Sequence, residues 1–94
     1  MIHLIKEIID VAPYRLDLRF NTGEIRVVDL KEDLQSWADS TESSYLKLLD
    51  PEYFRTVRLN AEFQSGYWDN GIELCPDFLY RKSQLVALAR HVAS

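Results

Sequence analysis

Glycine is scarce in this chain, three residues in 94, and proline is equally so. A phosphate-cradling loop or dinucleotide fingerprint needs clustered glycines, whereas Gly23, Gly66 and Gly71 stand far apart, and no nucleophile elbow is present either. Cysteine is scarcer still. Cys75 is alone, which excludes an internal disulfide, and together with the distant His3 and His91 it falls short of a structural zinc set. No metal and no other cofactor is therefore expected. No apolar run approaches the roughly 20 residues that a membrane helix needs, and Lys6-Glu7 interrupts the N-terminal run before it could serve as a signal peptide. The expected compartment is the cytoplasm, with no membrane partner. A basic excess is also missing: 11 Lys and Arg stand against 15 Asp and Glu, a net charge of −4. Direct contact with nucleic acid calls for a concentrated basic face and is not expected.

What is present is an ordinary globular composition, 47% hydrophobic and 28% charged. A chain of this length builds one modest core, so residues 1–94 are read as a single domain. The acidic imbalance is localised. Between Asp29 and Asp50, six carboxylates (Asp29, Glu32, Asp33, Asp39, Glu42, Asp50) stand against Lys31 and Lys47, which accounts for the whole net charge. This stretch reads either as a solvated connection or as a docking surface for a small basic protein, with Asp33 and Glu42 as its candidate contacts.

Strand signals dominate the first part of the chain. Leu4, Ile5, Ile8, Ile9 and Val11 are compatible with helical spacing, but their β-branching and Pro13 beyond them favour a strand. Tyr14, Leu16, Leu18 and Phe20 alternate with Arg15, Asp17 and Arg19; Asn21-Thr22-Gly23-Glu24 makes a hairpin, and residues 25 to 30 return. Arg15, Arg19 and Arg26 are expected on the polar face of that hairpin. Residues 31 to 56 read as short helical turns around Leu34, Trp37, Tyr45 and Leu48, with Asp50-Pro51 as a break. Val57, Leu59, Ala61 and Phe63 alternate with Arg58, Asn60 and Glu62, predicting another strand. Tyr67 and Trp68 resume the extended chain, Asn70-Gly71 reverses it, and Pro76 stops the following strand. Asp77 to Val92 carries apolar residues at the helical period and predicts a C-terminal helix. The fold class is α+β: two layers, with a mainly antiparallel sheet of about five strands, short connecting helices and the last helix packed on the sheet.

Residues with chemical potential are few. Asp69, Glu73 and Asp77 recur at intervals of four, but Asn70-Gly71 and Pro76 exclude the helix on which they would form a cation ladder. Cys75 precedes a helix start, where a thiol is activated if a base adjoins it; without one it reads as a buried, inert thiol. Trp68 reads as a core indole, which turns its neighbour Tyr67 to the opposite face beside Arg58 and Asn60. These three form a second candidate interaction surface.

The run from Pro51 to Tyr80 resembles the small bacterial family known as domain of unknown function 2442. The positions that carry the resemblance are Phe54, Val57, Trp68, Asn70, Gly71, Glu73, Leu74, Pro76, Leu79 and Tyr80. Leu16, Leu18 and Phe20 before Thr22-Gly23-Glu24, then Arg26 to Leu30, extend it into the N-terminal half. Glu73 departs from the aspartate more often found at its position. The resemblance implies a compact α+β domain with no established activity, in a family whose genes often neighbour those of other small proteins in toxin–antitoxin-like arrangements. Some longer relatives append a helix-turn-helix domain.

Together these readings lead to a non-catalytic protein-interaction module that binds another protein, or a second copy of itself, through a sheet edge or the acidic connection. An antitoxin-like role follows from the resemblance alone. Two alternatives remain open: a ligand-binding domain or enzyme with its site near Trp68, Asn70 and Cys75, and a DNA-binding regulator acting as a dimer.

Overall fold

The computed structural model describes residues 2–39 and 43–88, the side chains of residues 87 and 88 excepted. Among the described residues, seven strands and three α-helices follow in the order β1 (Ile5–Ala12), β2 (Arg15–Phe20), β3 (Glu24–Asp29), α1 (Lys31–Trp37), α2 (Pro51–Phe54), β4 (Arg58–Leu59), β5 (Gly66–Tyr67), β6 (Glu73–Leu74), α3 (Pro76–Lys82) and β7 (Gln84–Leu88), with a 3-10 turn at Ser44–Leu49. The protein is mixed α+β, as its pattern implied. Its strands divide into a large antiparallel sheet of order β1-β2-β3-β7 and a small one of order β4-β5-β6.

Alternation places Leu16, Leu18 and Phe20 on the buried face of β2, where Leu16 pairs with Val28 and Leu18 with Arg26. Both members of a cross-strand pair share a face. Arg26 therefore lies on the inner face and not, as expected, on the polar one beside Arg15 and Arg19. The register that buries Val28 and Leu30 carries Arg26 inward with them. There it finds Glu24 at 2.6 Å and Ser83 Oγ at 2.5 Å. Tyr14 does not extend β2; it sits in the β1–β2 turn at φ 63°.

One core joins the two sheets. Leu34, Leu48, Phe54, Trp68 and Leu79 are buried with the inner residues of β2 and β3. Trp68 is 1% exposed, packs on Phe54 with ring centroids 5.4 Å apart, and donates from Nε1 to the Phe54 carbonyl. That bond gives the indole nitrogen the partner a buried donor requires.

The predicted strand from Val57 to Phe63 is cut to two residues by Asn60. Its Oδ1 accepts from the amides of Glu62 and Phe63, while Gln64, at φ 54°, donates to its carbonyl. An Asx turn of this kind competes with the ladder and wins here. It leaves Phe63 60% exposed where alternation had placed it inside. The predicted helix from Asp77 is realised only to Lys82. Ser83 is extended, and the chain then pairs with β3 as β7. The open edge of β3 takes the uncharged segment Gln84–Leu88 in preference to further helix, tertiary pairing overriding local period. Residues 89–92 of that expected helix lie outside the described residues.

Candidate functional site

The small sheet builds a surface that gathers three of the candidates named from sequence, Arg58, Asn60 and Tyr67. Register pairs Arg58 with Tyr67 and Tyr67 with Glu73, so these three form a row across the outer face, while Leu59, Gly66 and Leu74 turn inward. Asn60, just past β4, donates from Nδ2 to Glu73 Oε2 at 2.9 Å, and the Ser65 hydroxyl donates to the same oxygen. Ser65 is 2% exposed. Glu73 is exposed yet held by two neutral donors, and among the described residues neither it nor Arg58 has a partner of opposite charge.

Beside Glu73 lies a shallow hollow of about 330 Å³ lined by Phe63, Ser65, Glu73, Cys75 and Pro76. Its wall is mostly apolar. Cys75, expected to be buried, is exposed. Pro76 occupies the first turn of α3, as its missing amide hydrogen favours, and directs the chain away from β6.

The other expected sites are not assembled in this way. Asp33 is half-buried and its carboxylate lies 3.0 Å from Lys82 Nζ, so it is engaged within the molecule. Glu42 lies outside the described residues. Trp68, Asn70 and Cys75 do not converge: the indole is in the core, and the Asn70 side chain donates to the Ser44 carbonyl and accepts from the Ile72 amide. Gly71, at φ 97°, completes that turn in a conformation that L side chains rarely adopt. Asp69 accepts from the Tyr53 hydroxyl, which raises the Tyr53 pKa above its usual value. Asp77, expected at the helix start, is in the first turn of α3 and binds His3 through both its backbone amide, at 3.0 Å, and Nδ1, at 2.9 Å. Among the described residues no group of three or more His, Cys, Asp or Glu could hold a metal ion.

A cluster that the sequence did not reveal surrounds Tyr80. The His3 ring stacks on it at 3.7 Å and the Arg26 guanidinium lies 4.2 Å from its centroid, so the two occupy its opposite faces. Its hydroxyl donates to Glu24 Oε1 at 2.6 Å, and Thr22 donates to the same oxygen at 2.7 Å. These hydrogen bonds, with Arg26 behind them, lower the Glu24 pKa, and the Glu24 carboxylate raises that of Tyr80. The His3 amide and ring likewise lower the Asp77 pKa. The cluster fastens the N-terminal arm, β3 and α3 together. Its polar groups satisfy one another, which is the mark of a structural clasp.

The architecture and this face define a small α+β protein with no assembled catalytic constellation among its described residues. The chain belongs to the family of proteins of unknown function DUF2442, which matches residues 5–84. No curated protein matches it. Among solved structures it is similar to a Nitrosomonas europaea protein whose name provisionally calls it a DNA binding protein, with 28% identity and a TM-score of 0.67. That likeness covers 99% of this chain and 52% of the other, so the chain spans about half the length of its relative. Of the ten positions carrying the family resemblance, Phe54, Val57, Trp68, Leu74 and Leu79 are core, Asn70 and Gly71 shape a turn, Pro76 starts α3, and Tyr80 centres the clasp. Glu73 alone among them presents a charge to the hollow.

No helix among the described residues is long and apolar enough to cross a membrane.

Proposed function

We propose that the chain is a non-catalytic protein-interaction module that docks a basic protein partner on the outer face of the small sheet. The observation that carries this reading is the row Arg58, Tyr67 and Glu73, whose two charges lack ion partners among the described residues, set beside an apolar hollow. A mixed aromatic and charged surface of this kind supplies both contact area and specificity at protein interfaces. The Glu73 carboxylate at the edge of the hollow favours a basic group on the partner. Affinity capture from the native host tests the reading: Tyr67→Arg, which removes the aromatic contact and sets a cation beside Glu73, should abolish retention of a stoichiometric partner, whereas Asp17→Arg, on the large sheet, should leave it intact. Equal retention by both variants would refute it. An antitoxin-like role is the more specific form, supported by the acidity and the family resemblance. It is abandoned if co-expression leaves the toxicity of a neighbouring gene product unchanged.

DNA contact is the second reading, favoured by the name of the Nitrosomonas europaea relative. Dimerisation would have to bring scattered arginines into one basic face. Salt-dependent retention of this chain on duplex DNA, with a slope that falls when Arg58 or Arg15 is removed, would support it; no retention at low salt would exclude it.

A further inference from the structure

We infer that the hollow beside Glu73 is an arginine-binding notch, which receives one guanidinium side chain of the protein partner. The inference rests on the reading of the small sheet as a docking face and names the chemistry that face selects. Ser65 and Asn60 both donate to Glu73 Oε2, which fixes the carboxylate and leaves Oε1 without a donor among the described residues. Two neutral donors hold the group in place without cancelling its charge. The remaining wall is Phe63, Cys75 and Pro76, with Phe63 60% exposed at its rim. A carboxylate at the edge of an apolar, aromatic-rimmed hollow matches a guanidinium: the plane stacks on the ring while an N–H donates to the free oxygen. An ammonium group is more strongly hydrated and has no plane to stack, so lysine fits less well. The volume of about 330 Å³ is ample for one long side chain.

The probe is N-acetyl-arginine methylamide, titrated into the ¹⁵N-labelled protein and followed by amide shifts, with the citrulline analogue as its neutral isostere. Saturable shifts are expected at Ser65, Glu73 and Cys75, absent with citrulline and weakened about tenfold or more in Glu73→Gln, as for loss of a charge-assisted hydrogen bond. Glutamine still accepts from Ser65 and Asn60, so this variant keeps the fold. Phe63→Ala, at an exposed position, should weaken the same shifts severalfold. Equal shifts with citrulline, indifference to Glu73→Gln, or shifts confined to the acidic residues Asp29, Glu32 and Asp33 would overturn the notch. A partner whose capture is lost in Tyr67→Arg but is indifferent to Glu73→Gln would likewise overturn the notch while sparing the docking face. Arginine binding at Glu73 in a protein whose partner capture ignores Tyr67→Arg would support the notch and sink the docking face.

Discussion

The large and small sheets handle their polar groups in opposite ways. On the large sheet the three arginines are paired: Arg19 with Glu7 at 3.1 Å, Arg15 with Asp17 at 3.8 Å, and Arg26 with Glu24 on the inner face. On the small sheet, strands of two residues carry Arg58 and Glu73 without ion partners among the described residues, beside an exposed phenylalanine. Exposed pairs such as Arg15 with Asp17 contribute little stability, yet they occupy the arginines of that sheet, and only Lys6, Asp10 and Asp29 of its described strands stand without ion partners. The difference teaches that the large sheet engages its arginines internally, while the small sheet, too short to hold together by its ladder, is anchored through Trp68 and leaves its one arginine open outward. A binding surface positioned by a rigid support is the usual division in small domains.

The anchor is the first place to break this comparison. Trp68→Ala removes a fully buried indole together with its bond to Phe54, and should cost about 3–5 kcal/mol in urea unfolding. Leu18→Ala in the large sheet should cost about 2–5 kcal/mol. If Trp68→Ala cost under about 1 kcal/mol, the small sheet would not depend on the shared core. Next in size, Asn60→Ala deletes the Asx turn and one donor to Glu73, with an expected loss of about 1 kcal/mol. The loss should be accompanied by faster amide exchange at Glu62 and Phe63. Unchanged exchange there would mean that the turn does not need its side chain.

The clasp sharpens the comparison by pH. Glu24 and Asp77 have folded pKa values below their ordinary 4.5 and 3.8. Depressed carboxylates add stability that is fully present above those ordinary values and is lost as pH falls through the folded ones. Tyr80→Phe removes the largest cause at Glu24, the tyrosine hydroxyl. The stability gap between wild type and Tyr80→Phe should therefore be widest at neutral pH and shrink in acid; a gap constant from neutrality into strong acid would contradict the clasp. At high pH, Tyr53 and Tyr80 should ionise above the usual tyrosine value in an ultraviolet titration. The smallest effect belongs to the open face. Glu73→Gln should alter stability by no more than about 0.5 kcal/mol, since its oxygen still accepts from Ser65 and Asn60.

The α+β class, the β2–β3 hairpin and the core role of Trp68 were legible because the alternation of Leu16, Leu18 and Phe20 and the Asn70-Gly71 reversal are local signals. The return strand was ambiguous. Residues 25 to 30 offer apolar side chains on both faces, and only the register with β2 decided for Val28 and Leu30 and so drew Arg26 inside. The end of the chain was misread because Leu85 and Leu88 also suit a helix, and the edge of β3 that claims them is some sixty residues away in sequence. Arg58, Asn60 and Tyr67 could be placed on one surface from strand alternation. Glu73 could not be joined to them without knowing that β5 lies between β4 and β6. The His3–Tyr80–Arg26 cluster left no sequence signal, since its members come from three distant segments.

The most direct test of the account is site-specific photo-crosslinking in the native host. A benzophenone side chain is placed either at Tyr67, on the small sheet, or at Asp17, on the outer face of the large one. The account predicts one discrete crosslinked protein from position 67, lost when Glu73 is changed to glutamine, and none from position 17. The same adduct from both positions, or an adduct from position 17 alone, would contradict it.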